Sequence, residues 1–424
     1  MAHRFDIHEA DRRHVWHPYT QHGIAERPIA IARAQGAHLY DATGRSIFDA
    51  ISSWWVTLHG HAQPEIAAAI AEQARTLEQV MFAGFTHEPA VRLAEALTAR
   101  APADLTRVFF SDDGSTAVEV ALKIALQYWR HRGEPRRLIV ALENAYHGDT
   151  FGAMSVSARG LFTEPFAEHL FEVARLPDPV EHDVPDALED LIRSREREIA
   201  AVIVEPLLLG AGGMRVWSAD ALRRLRAITR RHGIILIADE VLTGFGRTGP
   251  LFACEHAGVS PDVMCLSKGI TGGFVPFAAT LATEALFDAF RALDRKRTLF
   301  HGHSYTANPI ACAAALASLA LLDEASAERR RAIQREHETA ALRLSSLPGV
   351  ENVRVLGTML AMELVAIDRG YLSDIGPALR AFALERGVLL RPLGDTVYLL
   401  PPYCSTAADL ALAYDAIAEF AESR

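Results

Sequence analysis

The sequence predicts an α/β fold in which a large domain with a mostly parallel central sheet joins a smaller α+β domain. Five short apolar runs, mostly of β-branched and aromatic residues, alternate with segments of helical periodicity. Such runs are typical of strands buried on both faces of a parallel sheet, and the intervening helices supply the crossovers. Beyond about residue 330 the alternation changes, which indicates the second unit. The five predicted strands are residues 107–110, 138–142, 201–204, 234–238 and 263–266.

The segment 218–233 illustrates how the helices are predicted. Ser218 is a suitable N-cap, an apolar stripe follows on one face, and Gly233 is a suitable C-terminal stop. Helices of this kind between parallel strands place the ligand-binding crevice at the carboxyl ends of the strands. Reactive side chains are therefore expected at those ends.

The two ends of the chain are predicted to contribute the smaller domain. Residues 30–51 should form a β-hairpin, with Asp-Ala-Thr-Gly at 41–44 as the turn, and this hairpin is expected to join the C-terminal unit. Two further strands are predicted at 353–356 and 397–400. The predicted division is an N-terminal arm and hairpin (1–58) belonging to the small domain, a large cofactor-binding domain (59–328) and a C-terminal small domain (329–424).

Composition excludes several classes of protein. The formal net charge of −10 is spread along the chain without a long charged block, so neither nucleic acid nor an anionic membrane is expected as a partner. No signal-peptide region or membrane-spanning apolar run is present, which predicts a cytoplasmic protein. The four cysteines lie far apart without a C-x-x-C pair, which predicts reduced thiols and no metal site.

Two charged residues follow predicted strands at the same edge of the sheet. Asp239 ends the run Ile-Leu-Ile-Ala-Asp, and a buried carboxylate there requires a cationic partner such as a protonated pyridine nitrogen. A helix-capping aspartate fits that run equally well. Lys268 ends the run Val-Met-Cys-Leu-Ser-Lys, where apolar neighbours lower the pKa of an amine and favour imine chemistry. Together they indicate a pyridoxal 5′-phosphate (PLP) enzyme in which Lys268 forms the Schiff base.

Two loops at the same edge complete the predicted cofactor site. Gly114 and Ser115 lie where a strand turns into a helix predicted at 117–129, and the backbone N–H groups of a helix start are a natural phosphate site. Ser115 acting only as the N-cap is the alternative. Tyr146 follows the strand at 138–142 and can cover a planar ring, although a core tyrosine in a tight loop is the plainer interpretation.

Other classes of enzyme fit these motifs less well. Gly-Phe-Gly-Arg-Thr-Gly at 244–249 matches the dinucleotide pattern G-x-G-x-x-G, but Pro250 follows where a helix should begin. The run 302–306 lacks the last glycine of the G-x-S-x-G nucleophile elbow, because Thr306 stands there. Two H-x-H pairs without nearby carboxylates are weak metal signals, and they are His59 with His61 and His301 with His303.

Longer motifs carry a resemblance that covers the chain from about Arg13 to Tyr403. General motifs of the class III aminotransferases, of PLP fold type I, are Glu-Pro at 205–206, Asp-Glu at 239–240 with the glycine run at 244–249, and Ser-Lys-Gly at 267–269. The chain resembles that family, and within it the group that transfers an amino group from S-adenosylmethionine to 8-amino-7-oxononanoate in biotin biosynthesis. The narrower motifs are at 16–20 (Trp-His-Pro-Tyr-Thr), 52–55 (Ser-Ser-Trp-Trp), 59–60, 81–82, 86–87, 146–152, 391–392 and 401–403.

The resemblance implies a role for each residue of the cofactor site. Lys268 would bind PLP and shuttle the proton, Asp239 would hold the pyridinium, and Tyr146 would lie over the ring and bound the substrate pocket. The phosphate would be bound by Gly114 and Ser115, and by His303 and Ser304 of the neighbouring subunit. The resemblance therefore also implies a homodimer with its active sites at the interface.

The same resemblance implies the substrate site. Tyr19 belongs to its catalytic set, and Tyr19, Trp54, Gly302 and Arg391 would line the pocket, with Arg391 meeting the carboxylate of the keto acid because its planar fork binds carboxylates bidentately. The plainer interpretation is that Tyr19 anchors the N-terminal arm and that the two tryptophans are core residues, since adjacent side chains rarely face one pocket.

One departure from the family pattern bears on the amino donor. His-Gly-His-Ser stands at 301–304, where the similar enzymes commonly have Pro and Thr in place of His303 and Ser304. The serine hydroxyl can replace that of threonine, whereas His303 adds a polar ring and removes a fixed φ. The pocket aromatics favour S-adenosylmethionine as the donor, and lysine is the alternative. Another ω-aminotransferase, acting on a diamine or an ω-amino acid, is the second alternative.

Overall fold

The computed structural model describes residues 5–134 and 136–424, so the first four residues of the predicted unit 1–58 lie outside the described residues. The predicted turn at 41–44 is present, and the Asp41 carboxylate holds it by accepting the N–H groups of Thr43 and Arg45. The turn joins β2 to a third strand, β3, which sequence reasoning did not assign separately within the predicted hairpin. The first elements are α1 (Ile7–His14), β1 (Ile31–Gln35), β2 (His38–Asp41), β3 (Ser46–Asp49), the short helical turn α2 (Ser52–Trp55), α3 (Pro64–Thr76) and α4 (Glu88–Thr98).

The large sheet has seven strands in the order β4-β12-β11-β10-β7-β5-β6, and only β12 runs antiparallel to its neighbours. All five predicted strands belong to it, which confirms the predicted α/β class. The elements are β4 (Leu105–Ser111), α5 (Gly114–His131), β5 (Leu138–Leu142), α6 (Phe151–Val156), β6 (Val173–Leu176), α7 (Val184–Arg195), β7 (Ile199–Val204), β8 (Leu208–Leu209), β9 (Arg215–Val216), α8 (Ala219–Arg231), β10 (Ile235–Asp239), β11 (Val263–Leu266), β12 (Ala278–Thr283), α9 (Glu284–Asp288) and α10 (Pro309–Ala320).

The caps of α8 confirm the prediction made for that segment. The Ser218 side chain accepts the N–H groups of Asp220 and Ala221, and Gly233 takes the positive φ that ends the helix. Two strands of the sheet were missed. The run of β12 is rich in alanine, and β6 is only partly buried, so neither has the dense β-branched pattern of a central strand.

The C-terminal part contains a three-stranded antiparallel sheet in the order β13-β14-β16. Strand β15 belongs to another sheet. It pairs in parallel with β3, with Val388 opposite Phe48, so the N-terminal and C-terminal parts of the chain share that sheet. Both predicted strands are present, whereas β14 and β15 were missed because β14 lacks alternation and β15 is two residues long. The elements are α11 (Glu324–Leu344), β13 (Val350–Leu356), β14 (Met359–Leu364), α12 (Ile375–Glu385), β15 (Val388–Leu389), β16 (Thr396–Leu399) and α13 (Ala407–Glu422).

Within the described ranges, no single helix is long and apolar enough to cross a membrane. One bent pair, α10 with α11, reaches that length and composition only when its two helices are counted together.

Candidate active site

A cavity of about 830 Å³ lies at the carboxyl ends of the central strands. Asp239 is the last residue of β10, Lys268 follows β11 within two residues, and Gly114 begins the helix after β4. Because carboxyl ends of neighbouring parallel strands meet at one edge of a sheet, the side chains that follow them converge there. All three residues line the cavity, as the sequence predicted.

Asp239 is held in place by a buried histidine. The His147 ring Nδ1 lies 2.7 Å from Asp239 Oδ2, and the Val241 N–H donates to Oδ1 at 3.1 Å. Both side chains are buried, so the carboxylate is oriented by neighbours rather than by water. It lines the cavity as an acceptor for a cationic group. His147 lies within the motif at 146–152, yet sequence reasoning gave it no role.

Lys268 lies at the same end of the cavity and is half-buried. Burial lowers the pKa of its amine, and the nearby carboxylates of Asp239 and Glu205 partly oppose that shift. Its Nζ lies 5.3 Å from the ring centroid of Trp55. A desolvated amine of lowered pKa is suited to act as a nucleophile and as a general base. We call Lys268, Asp239 and His147 the buried end of the cavity.

The first turn of α5 forms a second wall of the cavity. Asp113 is its N-cap and accepts the Thr116 N–H at 2.8 Å, so the alternative of Ser115 as the N-cap is wrong. Ser115 Oγ instead lies 2.8 Å from Thr150 Oγ1 and accepts the Thr150 N–H. Gly114 is required by a close approach, because a Cβ there would lie 2.7 Å from Val241 Cγ1.

Tyr146 and Tyr19 meet at the middle of the cavity, 127 positions apart in the chain, with their hydroxyl oxygens 3.4 Å apart. The Tyr19 hydroxyl also donates to the Asp149 carboxylate. Burial and this hydrogen bond raise the pKa of Tyr19 to about 12, and burial also raises the pKa of Tyr146. Both phenols therefore stay protonated at neutral pH. Glu205 anchors the loop by accepting the Tyr146 N–H at 2.9 Å.

The outer part of the cavity is aromatic and contains the guanidinium of Arg391. The Arg391 guanidinium carbon lies 4.2 Å from the ring centroid of Trp54 and 6.0 Å from that of Tyr19. Among the described residues no carboxylate forms an ion pair with Arg391. A cation that stacks on aromatic faces without a carboxylate partner is suited to bind an anionic ligand.

The two tryptophans both line the cavity, which corrects the expectation that adjacent side chains rarely do so. Trp54 is 38% exposed at the outer part, whereas Trp55 is 4% exposed and packs towards Lys268. Trp55 Nε1 donates to the Tyr398 hydroxyl at 2.9 Å. The two rings face one cavity because α2 is a distorted turn and not a regular helix.

Comparison with known proteins assigns the family. The family model described as "Aminotransferase class-III" matches residues 19–420. The chain belongs to the class III aminotransferases. This class III chain is 51% identical to the adenosylmethionine-8-amino-7-oxononanoate aminotransferase of Synechococcus elongatus, over 96% of this chain and 98% of that relative.

Two solved structures share the whole fold of this class III aminotransferase. The adenosylmethionine-8-amino-7-oxononanoate aminotransferase of Methanocaldococcus jannaschii superposes with a TM-score of 0.94 at 34% identity and covers 98% of both chains. An amine transaminase from an uncultivated Pseudomonas species, in its PLP-bound form, has a TM-score of 0.91 at 34% identity, over 97% of this chain and 98% of that one. These matches confirm the predicted PLP fold type I.

The cofactor of this class III aminotransferase is PLP, and the residues present fit it. The cavity offers the amine of Lys268, the buried carboxylate of Asp239 and the N–H groups at the start of α5, which suit its aldehyde, ring nitrogen and phosphate. The room beside Val241 that a Cβ at Gly114 would fill lies on the same wall. The volume is also that of a pocket for one cofactor and a substrate.

Sequence reasoning missed two aromatic residues of the class III pocket. Phe162 and Tyr371 line its outer part and contact each other edge to face, with ring centroids 4.7 Å apart. Phe162 also contacts Tyr19, with centroids at 5.8 Å. No local motif marks them, because each lies in a loop without periodicity. We call these two residues, with Tyr19, Trp54 and Arg391, the aromatic rim.

Three predicted site residues lie outside this cavity. Gly302, His303 and Ser304 do not line the cavity of their own chain, and their part in the site stays a prediction. His303 Nε2 lies 3.9 Å from Asp112 Oδ1, and the Ser304 carbonyl accepts a hydrogen bond of 2.6 Å from Gln79. The chain folds this segment beside residues 78–87, where His303 approaches Asp112, a residue that lines the cavity.

Proposed function

We propose that this aminotransferase transfers an amino group from S-adenosylmethionine to 8-amino-7-oxononanoate and so forms 7,8-diaminopelargonate in biotin biosynthesis. The observation that carries the proposal is the presence of a reactive amine and a separate cation in one cavity. Lys268 lies at the buried end, and Arg391 stands in the outer part without a carboxylate partner among the described residues. This arrangement suits a keto acid whose carboxylate binds Arg391 while its ketone lies at the buried end, beside Lys268.

The residues divide the chemical work between them. Bound PLP supplies an electron sink for the carbon next to the reacting nitrogen. Burial lowers the pKa of the Lys268 amine, which favours the form whose Nζ can take a proton from that carbon and return it. Asp239, fixed by His147, provides the negative charge that the ring nitrogen requires. Tyr146 and the buried Trp55 keep water away from Lys268.

The aromatic rim supports S-adenosylmethionine as the donor. Its sulfonium is a permanent cation, and aromatic faces stabilise a desolvated cation by up to about 2 kcal/mol. The rim offers Tyr19, Trp54, Phe162 and Tyr371 for this purpose, and Asp149 adds a carboxylate bonded to Tyr19. Lysine, the alternative donor, has no sulfonium for these aromatic side chains to stabilise.

A half-reaction experiment tests the donor and the acceptor separately. PLP-loaded enzyme is mixed with S-adenosylmethionine or with lysine, and the visible absorbance of the lysine-bound cofactor is followed. We expect S-adenosylmethionine to bleach it and 8-amino-7-oxononanoate to restore it. Bleaching by lysine alone would reverse the donor assignment. Restoration only by simple ω-keto compounds would make the enzyme a general ω-aminotransferase.

We also propose that the enzyme is cytoplasmic and that its domains are 1–58, 59–328 and 329–424. We further propose that it is a homodimer in which a second copy contributes residues 302–304 to each cavity. An exposed apolar patch supports the dimer. The segments 78–87 and 300–308 are joined by hydrogen bonds from Gln79 to Ser304 and from Asn308 to Glu78. Together they expose Met81, Phe85, Phe300 and Tyr305, and a patch of this kind requires a partner.

Substitution within the patch tests the dimer. Phe300, which is 75% exposed, becomes charged in Phe300→Asp, and we expect a monomer with weakened PLP affinity. Leu342→Asp is the matched control, because Leu342 is 78% exposed on α11 and lies outside the patch. Light scattering gives the mass, and equilibrium dialysis gives the PLP affinity. A Phe300→Asp variant that stays dimeric, or a monomer that binds PLP normally, would contradict the assignment.

A further inference from the structure

The turn that presents the two tryptophans has an unusual backbone. Ser52, Ser53 and Trp55 have φ of 52°, 60° and 68°, and none of them is glycine. Residues with a Cβ rarely adopt this left-handed region, and three within four positions require strong support from their surroundings. Strained backbone of this kind is stored where it positions functional side chains. The support must therefore come from residues that hold the turn from outside.

Asp49 supplies that support from one side. Its carboxylate is fully buried and accepts the Ser53 N–H at 2.8 Å on Oδ1 and 2.6 Å on Oδ2. It also accepts the Ser53 hydroxyl at 3.1 Å and the Ile51 N–H at 3.3 Å, and the His61 Nε2 lies 2.8 Å from Oδ2. Nearly every lone pair of the Asp49 carboxylate is directed at the turn or at His61, and only an ionised carboxylate accepts this many donors.

The other side of the turn is fixed to the core. The Ser52 hydroxyl donates to the Leu400 carbonyl at 2.7 Å, and the buried Arg247 donates to the Trp55 carbonyl at 3.3 Å. Asp49 therefore holds Ser53, and Trp54 follows it in the turn with its ring against Tyr19 and Arg391. The Trp54 ring is nearer to the Arg391 guanidinium, at 4.2 Å, than the Tyr19 ring is, at 6.0 Å.

We propose that Asp49 is a positioning residue for the acceptor's carboxylate, acting through Ser53 and Trp54 on Arg391. It holds Ser53 in the strained conformation, which places the Trp54 ring against Arg391 and directs the guanidinium into the cavity. The identity of the acceptor in this inference rests on the proposed function. The binding of a carboxylate at Arg391 does not depend on that function. Loss of the Asp49 contacts should weaken acceptor binding and leave the buried end, at Lys268, in place.

The test compares Asp49→Asn with Asp262→Asn in the PLP-loaded enzyme. Asp262 is a suitable control because, like Asp49, it accepts a backbone N–H, from Leu236 at 2.8 Å, and pairs with a basic side chain, Arg226. It precedes β11 and so lies at the opposite edge of the sheet from the cavity. The KM for 8-amino-7-oxononanoate should rise about tenfold in Asp49→Asn, while the donor half-reaction changes by less than about twofold. Asp262→Asn should leave both unchanged. A purely structural role for Asp49 would slow both half-reactions alike.

A second variant and a second probe keep the test decisive. Ser53→Val leaves Asp49 intact but places a β-branched residue at φ 60°, and it should reproduce the rise in acceptor KM. Binding of nonanoate, an unreactive nine-carbon carboxylate, is measured by tryptophan fluorescence and should weaken by about tenfold in both variants. If the wild type binds nonanoate but does not use 8-amino-7-oxononanoate, the proposed function fails and the positioning role stands. Unchanged nonanoate binding and acceptor KM in both variants, or no nonanoate binding by the wild type, would overturn the inference.

Discussion

The buried end and the aromatic rim of the cavity are built in opposite ways. Asp239 ends a regular strand of the central sheet and Lys268 follows another, and His147, which is fully buried, fixes the carboxylate. Trp54 and Arg391 come from loops, and Trp54 is held by a strained turn. A rigid sheet edge suits cofactor chemistry, whose geometry is the same for every substrate. Loops suit the choice of substrate, because they can change without disturbing the sheet.

Lys268→Ala should have the largest effect of any single change at the buried end. We expect turnover to fall by at least about 10⁴-fold, because nucleophile and proton shuttle are lost together. PLP should still bind through the α5 start and Asp239. Absorbance spectra and steady-state assays check this, with Lys296→Ala, an exposed lysine, as the control. An active variant without the lysine-bound cofactor band would end the assignment.

Asp239→Asn should reduce both half-reactions together, by about a hundredfold, since loss of one member of a buried charge pair costs roughly 2–5 kcal/mol. The substituted amide keeps a hydrogen bond to His147 but cannot supply the negative charge. Folding should change less than chemistry, which thermal melts of the two proteins would show. Wild-type half-reaction rates in this variant would remove Asp239 from its role.

Arg391→Ala should separate the rim from the buried end. The acceptor half-reaction is expected to weaken by about 2 kcal/mol, the lower end of the range for a lost charge pair, because Arg391 is only half buried. The donor half-reaction should be nearly unchanged. Stopped-flow measurement of each half gives the answer, and equal damage to both halves would show that the two ends are not independent.

Substitution of a buried histidine that lies outside the cavity should have the smallest effect on activity and a clear effect on stability. His337 Nδ1 lies 2.6 Å from the Tyr414 hydroxyl and Nε2 lies 3.1 Å from the Thr358 carbonyl, so its neutral form is fully satisfied. Burial lowers its pKa from 6.5 to about 4. The unfolded chain therefore binds a proton between pH 6.5 and pH 4 that the folded chain does not, and stability falls as the pH falls through that window.

Denaturant unfolding of His337→Gln at pH 7 and pH 5 tests this. The wild type should lose about 2 kcal/mol from this histidine on acidification, and the variant should lose correspondingly less. His59, whose pKa burial also lowers to about 4, remains in the variant and keeps part of the slope. Activity at pH 7, scaled to folded protein, should not change. The same pH slope in both proteins would refute the assignment.

Local patterns were sufficient to predict the fold class and most of the buried end. Strands such as β7 and β10 are short apolar runs whose ends can be recognised, and parallel strands bring those ends to one edge. Asp239, Lys268, Gly114 and Tyr146 follow from that rule together with the residue types. The resemblance to the class III aminotransferases added Trp54 and Arg391, which no local pattern marks.

Only the tertiary structure decided the remaining features of the site. His147 bonds to Asp239 across 92 positions, and Phe162 meets Tyr371 from separate loops, so no spacing in the sequence predicts either contact. The placement of both tryptophans in one cavity depends on a strained turn that Asp49 holds, and strain is a property of the folded surroundings. Sequence patterns determine which faces of regular elements are buried. Contacts between loops depend on how the helices and strands position those loops, so they are defined only in the folded chain.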